Sequence, residues 1–405
     1  MIPRWRQVAA ATGLAGADGV VRPTIFAEMT ALAARTGAIN LGQGFPDVDG
    51  PASVARAAAD AVLTGHNQYP PGRGIPELRE AVAEHQRHHY GLSLDPQTQV
   101  LVTAGATEAV AAAVLALVGP GDEVVTLDPF YDSHAAAIAL AGARHVTVPL
   151  VRSAHGFALD EAALAAAVTD RTRVVLLNSP HNPTGAVLTP GELAAVARVA
   201  VARDLVVLTD EVYEHLTYDG AAHVPVATLP GMAGRTLTVS SAGKTFSFTG
   251  WKVGWVTGPP ELVEAVLTVK QYLTFVNAAP LQPAVAFALR DPGAQQWVGE
   301  LAPSLARRRD LLMDGLRAAG FDVVVPQGTY FVLADAAPLG YDDGARLARE
   351  LPALAGVVGV PATAFTHPGS ATAAALASWL RFTFVKREDV LAQAAERLAA
   401  LRTRS

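Results

Sequence analysis

The chain has 405 residues, 51% of them hydrophobic, with a net charge of −6 and no cysteine. This exceeds what one core absorbs, so two domains or a large domain with an appendage are expected; without thiols there are no disulfides or thiolate metal sites, which fits a reducing cytoplasm. The mildly acidic balance gives no basic field for nucleic acid, and the apolar stretches are broken by charge, Gly or Pro, so no membrane span is expected.

At the start, Arg4 and Arg6 precede Val8-Ala9-Ala10-Ala11, and Ala15-Gly16-Ala17 looks like a small-residue cleavage site. The apolar region is short and broken by Thr12 and Gly13, so residues 1–25 read as a loosely held N-terminal extension rather than an export signal. His85, His88 and His89 share one helical stretch; with no carboxylate or cysteine pattern beside them, they read as a solvated face, and no metal is expected.

Between residues 100 and 260, apolar runs at 100–103, 123–127, 145–149, 174–177, 205–209 and 236–239 alternate with Ala- and Leu-rich helical stretches such as 107–118 and 190–203. Continuous apolar runs are strands buried on both faces, hence mostly parallel, and such an open α/β sheet binds ligands at the carboxyl ends of its strands. Beyond residue 290 an Arg-rich helix runs to Ala319, followed by short strands at 330–333, 357–360 and 380–384. This reads as a smaller α+β domain packed against the N-terminal segment, with boundaries at 1–25, 45–290, and 26–44 together with 291–405.

Five segments carry candidate chemistry. Gly105-Ala106-Thr107-Glu108 opens a helix directly after a strand, where free N–H groups at Ala106 and Thr107 suit a phosphate, although an ordinary turn also explains it. Asn178-Ser179-Pro180-His181-Asn182-Pro183 is a forced turn at a strand end. The run 205–209 ends in Asp210, a buried carboxylate that needs a cation or a hydrogen-bond donor, or else caps a helix. Lys244 sits among small residues in Ser240-Ser241-Ala242-Gly243-Lys244-Thr245, with Lys252 following; a nucleotide-binding P-loop fails because Thr238 stands where that motif requires glycine. Arg381, in the alternating apolar segment Trp379-Leu380-Arg381-Phe382, is costly to bury without an anion.

Together these segments resemble the fold type I aminotransferases that use pyridoxal 5'-phosphate, from about Phe26 to Leu401. Asn40-Leu41-Gly42-Gln43-Gly44-Phe45-Pro46-Asp47 and Asn67-Gln68-Tyr69-Pro70-Pro71-Gly72 are typical of the branch containing kynurenine, glutamine and methionine aminotransferases. The resemblance implies an α/β fold with a large, mostly parallel seven-stranded sheet and a smaller α+β domain. It implies that Lys244 forms the Schiff base with the cofactor and shuttles the substrate proton, that Asp210 keeps the pyridine nitrogen protonated, and that Asn182 and Tyr213 bond its phenolic oxygen. Phe130 would stack on the ring. Ala106, Thr107, Ser241 and Lys252 would hold the phosphate, with Tyr69 reaching over from a second subunit of a homodimer. Lys252 stands where the wider superfamily commonly has arginine. Arg381 would grip the substrate α-carboxylate, with Gly42 and Tyr330 bordering the pocket and Phe275 lining it from the neighbouring subunit.

Within the branch, the motifs and the Arg-Phe-Thr-Phe-Val-Lys-Arg block are similar to those of bacterial succinyldiaminopimelate aminotransferases, which act with 2-oxoglutarate; Arg73 and Arg22 are candidates for a distal carboxylate. A β-lyase acting on cysteine conjugates, or a decarboxylase, would keep the same constellation. A regulator that senses the cofactor would need a DNA-binding module, for which the segment before Phe26 has no room.

Overall fold

The computed structural model describes residues 3–16, 18–153 and 156–403. A two-residue strand, β1 (Ile39–Asn40), precedes the eight strands of the large sheet: β2 (Val100–Thr103), β3 (Glu123–Asp128), β4 (Arg144–Ser153), β5 (Gly156–Leu159), β6 (Thr172–Asn178), β7 (Val206–Asp210), β8 (Thr236–Ser241) and β9 (Gly254–Thr257). Their spatial order is β2-β9-β8-β7-β6-β3-β4-β5, and the pairs from β8 through β4 are parallel. Every residue of β3 and β8 is buried, as two-sided strands require. Alternation assigns the faces: Val100 and Val102 belong to the same apolar cluster as Val54, Leu78 and Val82, whereas Leu101 belongs to the one that holds Val110, Ile138 and Val263.

All six apolar runs of the central region form strands. Two strands lie outside them. β9 is a four-residue strand antiparallel to both β2 and β8, and β5 folds back on β4 as an antiparallel edge, an eighth strand beyond the expected seven. The parallel order brings the carboxyl ends of β3, β6, β7 and β8 to one side, with Asp128, Asn178, Asp210 and Ser241 as their last residues.

The C-terminal strands are β10 (Asp322–Val323), β11 (Phe331–Asp335), β12 (Val357–Val358), β13 (Val360–Pro361) and β14 (Trp379–Thr383). Four form an antiparallel sheet in the order β10-β11-β14-β13, while β12 pairs in parallel with β1 and so joins the N-terminal segment to this layer. The apolar stretch 357–360 is thus two strands, parted at Gly359, where a Cβ would meet the Phe382 ring at 2.7 Å. Helices Pro292–Ala319 and Glu388–Ala399 pack closely because a Cβ at Gly315 would lie 2.4 Å from that of Ala395.

The N-terminal extension is not loose. Helix Arg4–Ala11 docks on helix Asp132–Ala141, and Arg4 Nη1 donates to the Leu140 carbonyl at 2.8 Å. Among the described residues no helix is long and apolar enough to cross a membrane.

Candidate active site

The carboxyl ends of the parallel strands border a cavity of about 370 Å³, lined also by Phe331 and Arg381 from the small sheet. At one end, helix Gly105–Leu117 points its first turn into the cavity. Gly105 has φ +73°, and a Cβ there would crowd the Lys252 Cε and Nζ at 3.3 Å; a Cβ at Gly254 would lie 2.8 Å from the Gly105 carbonyl carbon. Only glycine allows this approach of loop to lysine. Lys252 Nζ stands 3.3 Å from Thr107 Oγ1, and partial burial, then the neighbouring Lys244, hold its ammonium below the usual lysine range. Main-chain N–H groups of Ala106 and Thr107, the Thr107 and Ser241 hydroxyls and two cations make a donor set for a dianion.

On the cavity floor Asp210 ends β7. His134 Nε2 lies 3.3 Å from its Oδ2, and the Val212 N–H approaches its Oδ1 at 3.4 Å. Asn178, at the end of β6, donates its amide to the Asp210 carbonyl at 2.8 Å and accepts from the Asn182 N–H at 2.8 Å, which fixes the turn expected from the two prolines. Lys244 Nζ donates to the Tyr330 hydroxyl at 2.6 Å, and that hydroxyl donates to the Gly44 carbonyl at 2.6 Å. Tyr213 is buried edge-on to Tyr330, and burial, then the Tyr330 neighbour, push its phenol above the usual range.

Arg381 lies in the middle of β14 and is fully buried. Its Nη1 donates to Asn182 Oδ1 and its Nη2 to the Gly42 carbonyl, both at 2.9 Å, and its guanidinium carbon lies 4.0 Å from the Phe331 ring centre and 4.5 Å from that of Phe365. No carboxylate bonds it, and its buried Nε has no hydrogen-bond partner among the described residues. Burial lowers its pKa to about 10. A buried cation with an unused donor, facing a cavity that holds a lysine, is suited to an incoming carboxylate.

Ala106, Thr107, Asn182, Asp210, Tyr213, Ser241, Lys244, Lys252 and Arg381 all line this cavity, and Gly42 and Tyr330 reach it through their hydrogen bonds. Phe130 does not. It is buried behind the wall, with ring centroids 4.7 Å from His145 and 4.8 Å from His367, and its N–H donates to the Phe365 carbonyl at 2.7 Å. Tyr131 lines the cavity instead. The chain leaves β3 through Pro129 and re-enters a helix at Asp132, and that bend decides which of two successive aromatics faces inward.

Tyr69 and Phe275 lie elsewhere on this chain, at the surface, with ring centroids 5.5 Å apart. Arg73 is engaged by Glu264 and Arg22 by Asp18, and neither lines the cavity. His85 is buried rather than solvated. The sequence reading missed His134, Tyr131, Asn178 and Gly44. A histidine in an Ala-rich helix start was the available signal for the first.

The sequence model of the family described as "Aminotransferase class I and II" matches residues 36–398. A Mycobacterium tuberculosis protein named "Probable N-succinyldiaminopimelate aminotransferase" is 56% identical over 385 residues, covering 94% of this chain and 96% of that one. The solved N-succinyldiaminopimelate aminotransferase from Mycobacterium tuberculosis superposes with a TM-score of 0.92 at 53% identity, over 99% of this chain and 100% of that one. The methionine aminotransferase of Escherichia coli K12 is 38% identical over 93% of this chain and 96% of its own. The chain belongs to the class I and II aminotransferases and is a pyridoxal-phosphate-dependent enzyme of fold type I acting on amino and 2-oxo acids. Its cavity fits that cofactor: a dianion cradle at one end, a carboxylate for a ring N–H on the floor and a lysine between them.

Proposed function

We propose that this aminotransferase moves the amino group of N-succinyl-L,L-diaminopimelate to 2-oxoglutarate, working as a cytoplasmic homodimer. The single observation that carries the donor is the 56% identity to the Mycobacterium tuberculosis relative over nearly the whole chain. The buried Arg381, with an unused donor and lining the same cavity as Lys244, supports amino-acid chemistry at the site.

Pyridoxal phosphate supplies an aldehyde that takes up the amino group and a ring that accepts the electron pair left on Cα. Ala106 and Thr107 N–H groups, Ser241 and Lys252 would hold its phosphate, Asp210 would take up its ring N–H with His134 orienting the carboxylate, Asn182 and Tyr213 would serve its phenolic oxygen, and Tyr131 would lie against its ring. Arg381 grips the α-carboxylate, assisted by Asn182 and the Gly42 carbonyl that orient its fork, and so aligns the Cα–H bond. Lys244 Nζ removes the Cα proton, with Tyr330 and the Gly44 carbonyl setting its position. Residues 26–44 with 291–405 act as the smaller unit against 45–290. Exposed Tyr69, at 82% of its full accessibility and paired with Phe275, suits a reach into a neighbouring subunit's phosphate site.

Glutamate formation from 2-oxoglutarate, followed with a panel of amino donors, tests this reading. The succinylated donor is expected to give the highest kcat/KM; a preference for kynurenine, methionine or glutamine would move the enzyme to those activities. Pyruvate and ammonia released from cysteine conjugates faster than glutamate appears would make it a β-lyase.

A further inference from the structure

Outside the residues that line the cavity, three histidines from two distant stretches converge. His85 and His89 lie one turn apart on helix Pro76–Tyr90, and His215 follows β7, two residues beyond Tyr213. Their ring centroids form a triangle with sides of 4.5, 5.0 and 4.9 Å, and one nitrogen from each ring falls within 4.8 Å of the others. His85 Nε2 faces His215 Nε2 at 2.8 Å. Between two neutral imidazoles only one of these nitrogens carries the hydrogen, so the other directs a lone pair into the same space.

We propose that His85, His89 and His215 form a binding site for a divalent transition-metal ion of the zinc class, with water in the fourth position. Three imidazoles, with no thiolate or ligating carboxylate, select zinc, cobalt, nickel or copper(II) over magnesium or calcium. Zinc bonds imidazole nitrogen at about 2.0–2.1 Å, which puts tetrahedral ligand atoms about 3.4 Å apart. The 2.8 Å pair needs a slight opening and the wider pairs a slight closing, which rotations of half-buried His215 and exposed His89 provide. Burial is graded: His85 is the closed floor and His89 the solvent side, so an ion has a route in.

The surroundings supply what a cation needs. The Glu214 carboxylate is buried, is held by the Ser240 and Tyr90 hydroxyls, and lies within Coulombic reach of His85 and His215. The Gln86 amide nitrogen lies 3.3 Å from His85 Nδ1, while its buried Oε1 has no hydrogen-bond partner among the described residues. A half-turn of that amide lets Oε1 accept the Nδ1 proton, leaving Nε2 as a free ligand. The ion would pin helix Pro76–Tyr90 to the segment carrying Tyr213.

The test is calorimetric titration of tag-free, chelator-treated holoenzyme with Zn²⁺ in phosphate-free buffer. One ion per chain should bind saturably, and Co²⁺ should produce the visible d–d bands of a tetrahedral nitrogen site. His89→Ala, which alters an exposed side chain and leaves the fold intact, should weaken binding by at least about 100-fold, whereas His88→Ala, next to it but outside the triangle, should leave the affinity unchanged. Equal affinity in wild type and His89→Ala overturns the proposal. So does an absence of saturable binding, or equal losses in both variants, which would place the ion on the helix surface.

Discussion

Two cationic stations line the cavity, and they are built differently. Lys252 sits on a turn, at φ +54°, as a point charge beside the first N–H groups of a helix. Arg381 sits inside a sheet, both terminal nitrogens bonded and its face between two aromatic rings. At the first station much of the grip comes from the main chain, and the side chain supplies charge. At the second, the side chain's own geometry is the grip. The former should tolerate a change of cation; the latter should not.

Arg381→Lys tests this contrast most severely. An ammonium replaces a planar fork, strands Asn182 Oδ1 or the Gly42 carbonyl, and should lower kcat/KM for donor and acceptor alike by about 100- to 1,000-fold. Steady-state kinetics with both substrates measure it. Lys252→Ala should instead weaken pyridoxal phosphate about 10- to 100-fold while kcat at saturating cofactor stays near wild type, and Lys252→Arg should stay within about threefold on both counts. Cofactor titration of the stripped enzyme reads this, and a Lys252→Arg defect as deep as that of Arg381→Lys would erase the contrast.

Tyr330→Phe probes the space between the stations. Removing the hydroxyl that holds Lys244 Nζ should lower kcat about tenfold with little change in KM, because proton transfer suffers and carboxylate binding does not. A rise in KM alone would place Tyr330 in binding.

The smallest effect belongs to a carboxylate at neither station. Burial raises the pKa of Asp128 from 3.8 to about 6, opposed by hydrogen bonds from Thr372 and Thr147. The folded chain therefore holds this proton longer than the unfolded one, so its contribution is most favourable below the unfolded value and is lost as pH rises through about 6. Asp128→Asn does not ionise, and its Tm relative to wild type should climb between about pH 4 and pH 7. A difference that is flat with pH would disprove the assignment.

The parts of the site that the sequence made legible are those where a residue type violates its surroundings. Arg381 in an apolar alternation, Asp210 ending a Val-Leu run and Lys244 among small residues each demand a partner, and each lies at the cavity. What it could not convey depends on direction or long-range approach. Phe130 and Tyr131 are equivalent on composition, and only the bend at Pro129 separates them. His85 and His215 are 130 positions apart, and their meeting follows from how the Pro76–Tyr90 helix lies against the sheet. Of the fold, the long Val- and Leu-rich runs were plain, whereas β9 offers four residues directly after a glycine-rich turn, too few for periodicity to register.

The bonds of Arg381 also carry a mechanical consequence. One nitrogen is tied to residue 182, another to residue 42, and two positions along the same strand the Thr383 N–H donates to the Leu41 carbonyl at 2.8 Å. The fork is thus a rivet through three plates of chain that are remote in sequence. An amino acid seated on it should tighten all three at once, so amide exchange near residues 40–44 should slow on ligand addition even though those residues supply no charge to the ligand.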